Sequence, residues 1–197
     1  MEITAQMVKD LRQKTGYGFK VCRDALEESN GNFEKAKEIL RLKGEGKASE
    51  MASRPTNEGT IGSYIHFNKL IGVLVEIATQ TDSLAQSQEV QEFASSVAMQ
   101  VAFSNPQFIS RDKVPVEIVE NEKRIALEEL KDSGKPEFVI EKIVNGRLEK
   151  LFEEKCLLDQ KFIKDESILI GQWMSKIAAQ GKENVQIRRI TRFEVGK

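Results

Sequence analysis

The chain has 197 residues, with 30 Lys and Arg against 31 Asp and Glu, and 7% of its residues are aromatic. This length allows one or two domains, and the high content of charged residues is typical of a folded, helix-rich protein. Because the net charge is −1, the chain lacks the basic excess with which general nucleic-acid binders and proteins of anionic membrane surfaces attract their partners.

The first 44 residues carry the signals of three short helices. Thr4 can cap the first helix and Asn32 the third. Their apolar residues recur at helical spacing, so the three faces can be buried against one another as a small bundle. Residues 45–58 are polar, contain Gly and Pro, and are predicted to form a linker. The inward positions of the bundle are Met7, Val8, Leu11, Phe19, Cys22, Ala25, Leu26, Ala36, Ile39 and Leu40.

The pattern changes from helical to extended at the start of the third region, residues 59–197. Two extended runs separated by Asn68-Lys69 predict a β-hairpin. A third run, Val185–Val195, is predicted to pair with the hairpin in a small antiparallel sheet. Strict alternation in this run places one set of side chains on the same side of the sheet. That set is Val185, Ile187, Arg189, Thr191, Phe193 and Val195.

Between the hairpin and the last strand the apolar residues recur at helical spacing. The predicted helices are 86–104, 116–131, one that begins at Pro136 and runs through Asn145-Gly146, and one that holds Ile168 and Ile177. The sequence therefore predicts an α+β protein, in which a helical module and a linker precede a core of helices packed on a three-stranded sheet.

The chain carries few residues suited to covalent chemistry. His66 is its only histidine, so a histidine-based triad or a multi-histidine metal site cannot be built within one chain. Cys22 and Cys156 are far apart and are interpreted as small apolar residues on helices. There is no phosphate-binding glycine motif. We therefore expect neither an enzyme nor a cofactor or metal site, and we expect a cytoplasmic protein because no secretion signal or membrane span is visible.

Two features favour a protein partner. Tyr17 and Phe19 flank the glycine turn of the helical module, where an aromatic side chain is expected to be partly exposed. The second is the segment 81–84, which follows the second strand, although the sequence alone favours a simple helix cap there. The basic strand with Arg188 and Arg192 could bind RNA, but a nucleic-acid surface would need more than this, and the sequence favours a solvated strand face.

Several segments resemble the elongation factor Ts family, in order and along essentially the whole chain. They are Ile3-Thr4-Ala5-x-x-Val8-Lys9-x-Leu11-Arg12-x-x-Thr15-Gly16-x-Gly18, Cys22-Arg23-x-Ala25-Leu26, Asn30-Gly31-Asn32, Ala52-Ser53-Arg54-Pro55, Ser63-Tyr64-Ile65-His66, Ile71-Gly72-Val73-Leu74-Val75-Glu76, Ser104-Asn105-Pro106-Gln107-Phe108, Ser133-Gly134-Lys135-Pro136, Gly146-Arg147-Leu148, Cys156-Leu157-Leu158-Asp159-Gln160-Lys161-Phe162 and Arg192-Phe193-Glu194-Val195-Gly196. The resemblance implies that residues 1–44 form a ubiquitin-associated-like module and that the chain has the short bacterial form, in which two chains pair.

The resemblance also implies a function: the family exchanges guanine nucleotide on elongation factor Tu, the GTPase that delivers aminoacyl-tRNA to the ribosome. It implies that the helical module holds the nucleotide domain of that GTPase, while the segment after the second strand pushes beside its magnesium and phosphate site. We call this segment, residues 81–84, the wedge. The hypothesis is that Asp82 and Leu84 of the wedge act at the nucleotide site, while Arg12 and Phe19 anchor the helical module to the GTPase. The implied binding residues are Arg12, Phe19, Lys20, Thr81, Asp82, Ser83 and Leu84.

Three positions depart from the family pattern. Ser83 replaces the usual phenylalanine of the wedge, Gln100 replaces a usual histidine on the following helix, and Lys20 replaces an apolar methionine. Three consequences are open: Leu84 substitutes for the missing ring, exchange is weaker, or other contacts compensate.

Two competing functions follow from the residues alone. The chain could be a ubiquitin-associated-like adaptor without exchange activity, or a ribosome- or RNA-associated protein that uses the strand from Arg188 to Arg192. A steep salt dependence of RNA binding would favour the latter.

Overall fold

The computed structural model describes residues 3–15, 19–40, 53–131 and 133–197. The chain divides into two compact units, Met1–Arg54 and Pro55–Lys197. The predicted end of the helical module at residue 44 and most of the predicted linker lie outside the described residues.

The first unit contains α1 (Ala5–Thr15), α2 (Phe19–Glu28) and a helical stretch α3 over residues 33–40. The predicted caps are confirmed, since the Thr4 hydroxyl accepts a hydrogen bond from the Met7 amide and the Asn32 side chain accepts one from the Lys35 amide. Its core is built from the residues that the helical spacing placed inward, with Phe19 outside it. The buried residues are Val8, Leu11, Cys22, Ala25, Leu26, Ala36 and Leu40.

The second unit is a small antiparallel sheet with helices. Its elements in chain order are β1 (Glu58–Ile65), β2 (Ile71–Thr79), α4 (Asp82–Ala85), α5 (Gln88–Ser104), α6 (Val116–Leu130), α7 (Glu137–Lys155), β3 (Lys161–Phe162), β4 (Asp165–Leu169), α8 (Ile170–Gly181) and β5 (Val185–Glu194). The main sheet has the order β1-β2-β5, so the predicted hairpin and its pairing with the last strand are confirmed.

One face of the sheet packs on α5 and α8. Val73, Val75 and Ile77 of β2 are buried there. The ring of Trp173 on α8 lies 5.2 Å from that of Phe93 on α5, in an edge-to-face arrangement. Burial of this apolar surface is the main driving force for the fold of the second unit. The α+β class predicted from the sequence is therefore confirmed.

The strict alternation predicted for the last strand is wrong. The pairing register of β5 shifts between Glu76 and Ile77, which pair with Arg189 and Ile187, so Arg188 is the extra residue of a β-bulge. The side chains change sides at this point. Val185 and Ile187 are buried, whereas Arg189, Thr191 and Phe193, which were predicted on the same side, are exposed.

The helices α6 and α7 form an antiparallel pair with a small apolar cluster of its own, in which Ala126, Leu130 and Val144 are buried. The prediction that a helix continues through Asn145-Gly146 is confirmed, because α7 is continuous across them. The described part of the chain contains no helix that combines the length and the apolar character needed to cross a bilayer.

Two features were not predicted. Ile168 lies in β4, which pairs with β3 as a short hairpin, and the last helix begins only at Ile170. The helix expected from residue 86 begins instead at Gln88 with Ser87 as its cap, and the separate short helix α4 precedes it. Both differences are local. The strand β4 directly precedes α8, and its apolar residues continue the pattern of that helix, so the sequence does not separate the two elements.

Candidate partner-binding site

The segment 81–84 begins directly after the central strand. Thr81 has extended backbone angles, and its hydroxyl oxygen accepts a hydrogen bond from the Leu84 amide at 3.3 Å. Thr81 is therefore the N-cap of α4, as the simpler of the two sequence interpretations predicts. This role as a cap is compatible with binding a partner, because the cap bond uses the Thr81 hydroxyl while Thr81, Asp82 and Ser83 stay exposed.

The four residues of the segment differ in exposure. Thr81, Asp82 and Ser83 are exposed, whereas Leu84 is half-buried and packs against the main core. A Cβ added to Gly181 would lie 3.0 Å from a methyl carbon of Leu84, so this leucine rests on the C-terminal end of α8. Asp82 and Ser83 are thus the side chains of the segment that are most open to a partner.

The segment is attached to the turn that joins α8 and β5. The carboxylate of Glu183 accepts a hydrogen bond from the Thr81 amide at 3.1 Å and from its hydroxyl at 2.9 and 3.0 Å. The Asn184 amide donates to the Gln80 side chain at 2.7 Å. Glu183 was not among the predicted site residues. The register of β5 could have indicated it, because pairing of Val185 with the end of β2 brings the two turns together.

The other predicted binding residues lie in the helical module. Arg12 is in the last turn of α1, and Phe19 and Lys20 open α2. All three are exposed, with 47% of Phe19 accessible. Because three residues join the two helices, these side chains lie at the same end of the module. Tyr17 lies outside the described residues.

Gln100 is an interior residue. Its amide nitrogen donates to Gln160 and to the Lys161 carbonyl at 3.1 and 3.2 Å, and its oxygen accepts from the Ile163 amide at 3.0 Å. With only 2% of its surface accessible, Gln100 holds the β3 segment on α5. The position at which the resemblance implies a histidine is therefore an internal one in this structure, and its side chain is not part of the exposed surface of the segment 81–84.

The arginines of the last strand are paired with carboxylates. Arg188 and Arg189 both contact Glu76, at 3.2 and 2.5 Å, and Arg192 contacts Glu194 at 2.5 Å. The hydrogen bond from Arg189, together with the charge of Arg188, holds the pKa of Glu76 below its ordinary value. The two carboxylates offset part of the charge of the three arginines, so these ion pairs weaken the attraction of the strand for a phosphate backbone.

Groups suited to catalysis are not assembled in the described part of the chain. No three His, Cys, Asp or Glu residues are grouped there as a metal site would require. The ring nitrogen Nδ1 of His66 is 3.0 Å from the Tyr64 hydroxyl, and burial raises the pKa of the Cys156 thiol. Cys156 lies one residue beyond α7, at its C-cap, where the sequence predicted a helical position.

Comparison with known proteins identifies the family. The family model described as Elongation factor TS matches residues 22–197. A protein named Elongation factor Ts from Thermosipho melanesiensis is 50% identical over 195 residues, which are 99% of this chain and all of the relative. Proteins of the same name from Fervidobacterium nodosum and Thermodesulfovibrio yellowstonii are 47% and 50% identical over all of this chain and cover 100% and 98% of their own lengths. The chain therefore belongs to the elongation factor Ts family, and this membership supports a role in translation elongation.

Proposed function

We propose that the chain is a guanine-nucleotide exchange factor that binds elongation factor Tu carrying GDP and accelerates GDP release, so that GTP can bind. Family membership over the full length carries the proposal. The exposed Thr81–Ser83 turn, held on a rigid sheet, supports it as the element that reaches the nucleotide site. The proposal places the protein in the cytoplasm, where translation takes place.

The proposed activity makes and breaks no covalent bond. The factor must bind the nucleotide-free GTPase more tightly than the GDP-bound form, because equal affinity for both states would leave the nucleotide equilibrium unchanged. By linkage, GDP and GTP must in turn weaken the binding of the factor. Each tenfold acceleration of GDP release requires about 1.4 kcal/mol of added stabilisation of the release transition state.

The site residues divide into two groups in this proposal. Arg12, Phe19 and Lys20 at one end of the helical module provide affinity, since an exposed aromatic next to cations is a typical interface anchor. Asp82 and Ser83 act at the nucleotide site. Leu84 packs against Gly181 at the end of α8 and thereby supports Asp82 and Ser83. With Ser83 in place of a phenyl ring, the wedge depends on the Asp82 carboxylate and the backbone of the turn.

We further propose that two chains pair through the exposed face of the sheet. Ile65, Gly72 and Phe193 lie side by side across the three strands, and so do Ser63, Leu74 and Thr191. These and neighbouring side chains form a contiguous exposed apolar patch, and such patches typically mark interaction surfaces. Stacking of two such faces is the ordinary packing of antiparallel sheets. The outer patch consists of Ile61, Ile65, Phe67, Leu70, Leu74, Phe193 and Val195.

Release of fluorescent GDP from elongation factor Tu tests the exchange activity. The wild-type chain is expected to accelerate release in a saturable manner. Asp82→Ala should lower the maximal rate, whereas Phe19→Ala should raise the concentration needed for half of it. Phe138→Ala is the matched control, since this exposed phenylalanine on α7 lies outside the proposed site.

The outcomes separate the assignments from the activity. Absence of acceleration by the wild-type chain would contradict the proposed function. Acceleration that neither Asp82→Ala nor Phe19→Ala changes would leave the function standing and reject these residues.

A further inference from the structure

Two turns meet at one end of the main sheet. The first joins β2 to α4, which begins with the exposed Asp82 and Ser83, and the second joins α8 to β5. They meet because Thr79, the last residue of β2, pairs with Val185, the first residue of β5. The second turn contributes no residue to the proposed site, yet it donates and accepts hydrogen bonds that hold the first turn.

The second turn has a fixed backbone. Lys182 adopts the left-handed conformation with a φ of 56° and ends α8, and the Glu183 amide donates to the Ala178 carbonyl at 3.2 Å. This arrangement is a standard helix C-cap, so the position of Glu183 is set by α8. Because the backbone of Glu183 is fixed in this way, its carboxylate is held next to the first turn.

The contact between the turns is specific in its chemistry. The Glu183 carboxylate accepts from both the amide and the hydroxyl of Thr81, with both of its oxygens within 2.9–3.1 Å. Hydrogen bonds to a charged acceptor are stronger than neutral ones. The same hydroxyl oxygen accepts from the Leu84 amide, so Glu183 orients the group that caps α4.

This contact acts on the N-terminal end of the short helix α4, where Asp82 and Ser83 lie. The helix has four residues, which is too short for a stable helix on its own. The buried Ala85 anchors its C-terminal end, where the Ala85 carbonyl accepts a hydrogen bond from Gln91 on α5 at 2.8 Å. Its N-terminal end is held by the N-cap and by the neighbouring bond from the Asn184 amide to Gln80. Loosening the N-cap would let Asp82 and Ser83 sample several positions.

We propose that Glu183 is a positioning residue for nucleotide exchange: through Thr81 it holds Asp82 and Ser83 in the geometry that acts on the partner. The inference rests on the proposed function and assigns to it a residue outside the segment 81–84. Because a wedge acts in the transition state of release while the helical module supplies affinity, loss of this contact should affect the rate and leave the affinity.

Glu183→Gln tests the proposal in the full-length chain. The amide keeps the size of the side chain but removes its negative charge and one of the two oxygens that accept from Thr81. We expect the maximal rate of fluorescent GDP release from elongation factor Tu to fall by about tenfold. The half-saturating concentration and the melting temperature should stay near wild type. Glu120→Gln, which changes an exposed glutamate of α6, is the matched control.

Thr81→Val gives an independent test, because valine keeps the shape of threonine and removes the hydroxyl. The double variant Thr81→Val/Glu183→Gln should be no slower than the slower single variant, since both remove the same contact. If the rate of the double variant falls by the product of the two single-variant decreases, Glu183 does not act through Thr81, and the proposal is overturned.

The failures of the two proposals are distinguishable. If the wild-type chain does not accelerate GDP release, the proposed function fails and this inference fails with it. If the wild-type chain is active and Glu183→Gln releases GDP at the wild-type maximal rate, or is slower only through a higher half-saturating concentration, the inference alone is wrong.

Discussion

Gly62 is the point of closest approach between β1 and α5. A Cβ built at this residue would lie 2.3 Å from the carbonyl oxygen of Ala94 and 2.9 Å from its Cβ. Both contacts involve the helix itself, which cannot move aside as a flexible side chain would. The hydrogen bond from Gln91 on α5 to Thr60 on β1, at 2.9 Å, fixes the same pair of elements. The absence of a side chain at Gly62 therefore sets the distance between sheet and helix.

Gly62→Ala is expected to destabilise the second unit by about 2 kcal/mol, the usual cost of forcing an extra carbon into a packed interior. Urea unfolding followed by circular dichroism measures this change. Gly146→Ala is the matched control, because nothing lies within 4 Å of the Cβ that it adds in the middle of α7. It should stabilise the chain by about 1 kcal/mol through helix propensity. Equal effects of the two variants would contradict the close packing of β1 on α5.

The strand β5 shows what sequence reasoning could and could not predict about an element. Its existence, its extent and its partner follow from the extended pattern and from the need to bury one face. The bulge at Arg188 does not, because alternation is broken by a single residue whose type is common in regular strands. The hairpin β3–β4 was hidden for a similar reason, since Ile168 continues the apolar pattern of the helix that begins at Ile170.

The bulge of β5 is held by charge. Arg188 and Arg189 lie next to each other in the chain and both contact Glu76 on the central strand, while Arg188 also donates to the carbonyl of Thr56. Glu76 is the least exposed of the three charged groups, with 18% of its side chain accessible. One carboxylate therefore fixes the two residues at which the strand changes register.

Stability should depend on pH through Glu76. The pKa of this carboxyl is lowered from its ordinary value of 4.5, first by the hydrogen bond from Arg189. The unfolded chain thus binds the proton more readily, so the contribution to stability is complete above pH 4.5 and is lost as the pH falls through the lower folded-state pKa. Glu76→Gln should cost about 1 kcal/mol or less at pH 7, because the arginines are solvated.

The measurement is the difference in unfolding free energy between wild type and Glu76→Gln as a function of pH. It should shrink as the medium becomes more acidic than pH 4.5. Glu141→Gln on the exposed side of α7 is the control and should give a small difference at every pH. A Glu76→Gln difference that stays constant into the acid range would show that the ion pairs do not hold the bulge.

At the scale of the whole molecule, the site is harder to predict than the fold. The helical module and the sheet follow from local patterns, and the segment 81–84 stands out at the end of a strand. The contact of Thr81 with Glu183 joins residues 102 positions apart. It depends on the pairing of β5 with β2 and on the left-handed residue that ends α8. Neither is encoded by a local pattern, so the residues that position the segment appear only in the folded chain.

Pairing of two chains would turn the exposed sheet face into an interior, and Leu74 lies at its centre on the middle strand. Leu74→Asp should therefore produce monomers, because burial of an unpaired carboxylate costs more than the apolar contact contributes. Leu127→Asp on α6 is a closely matched control, since Leu127 is 50% exposed and Leu74 is 48% exposed. Sedimentation equilibrium should give twice the chain mass of 22.3 kDa for wild type and Leu127→Asp, and the single mass for Leu74→Asp. A monomeric wild type, or a dimer that survives Leu74→Asp, would show that this face does not join two copies of the chain.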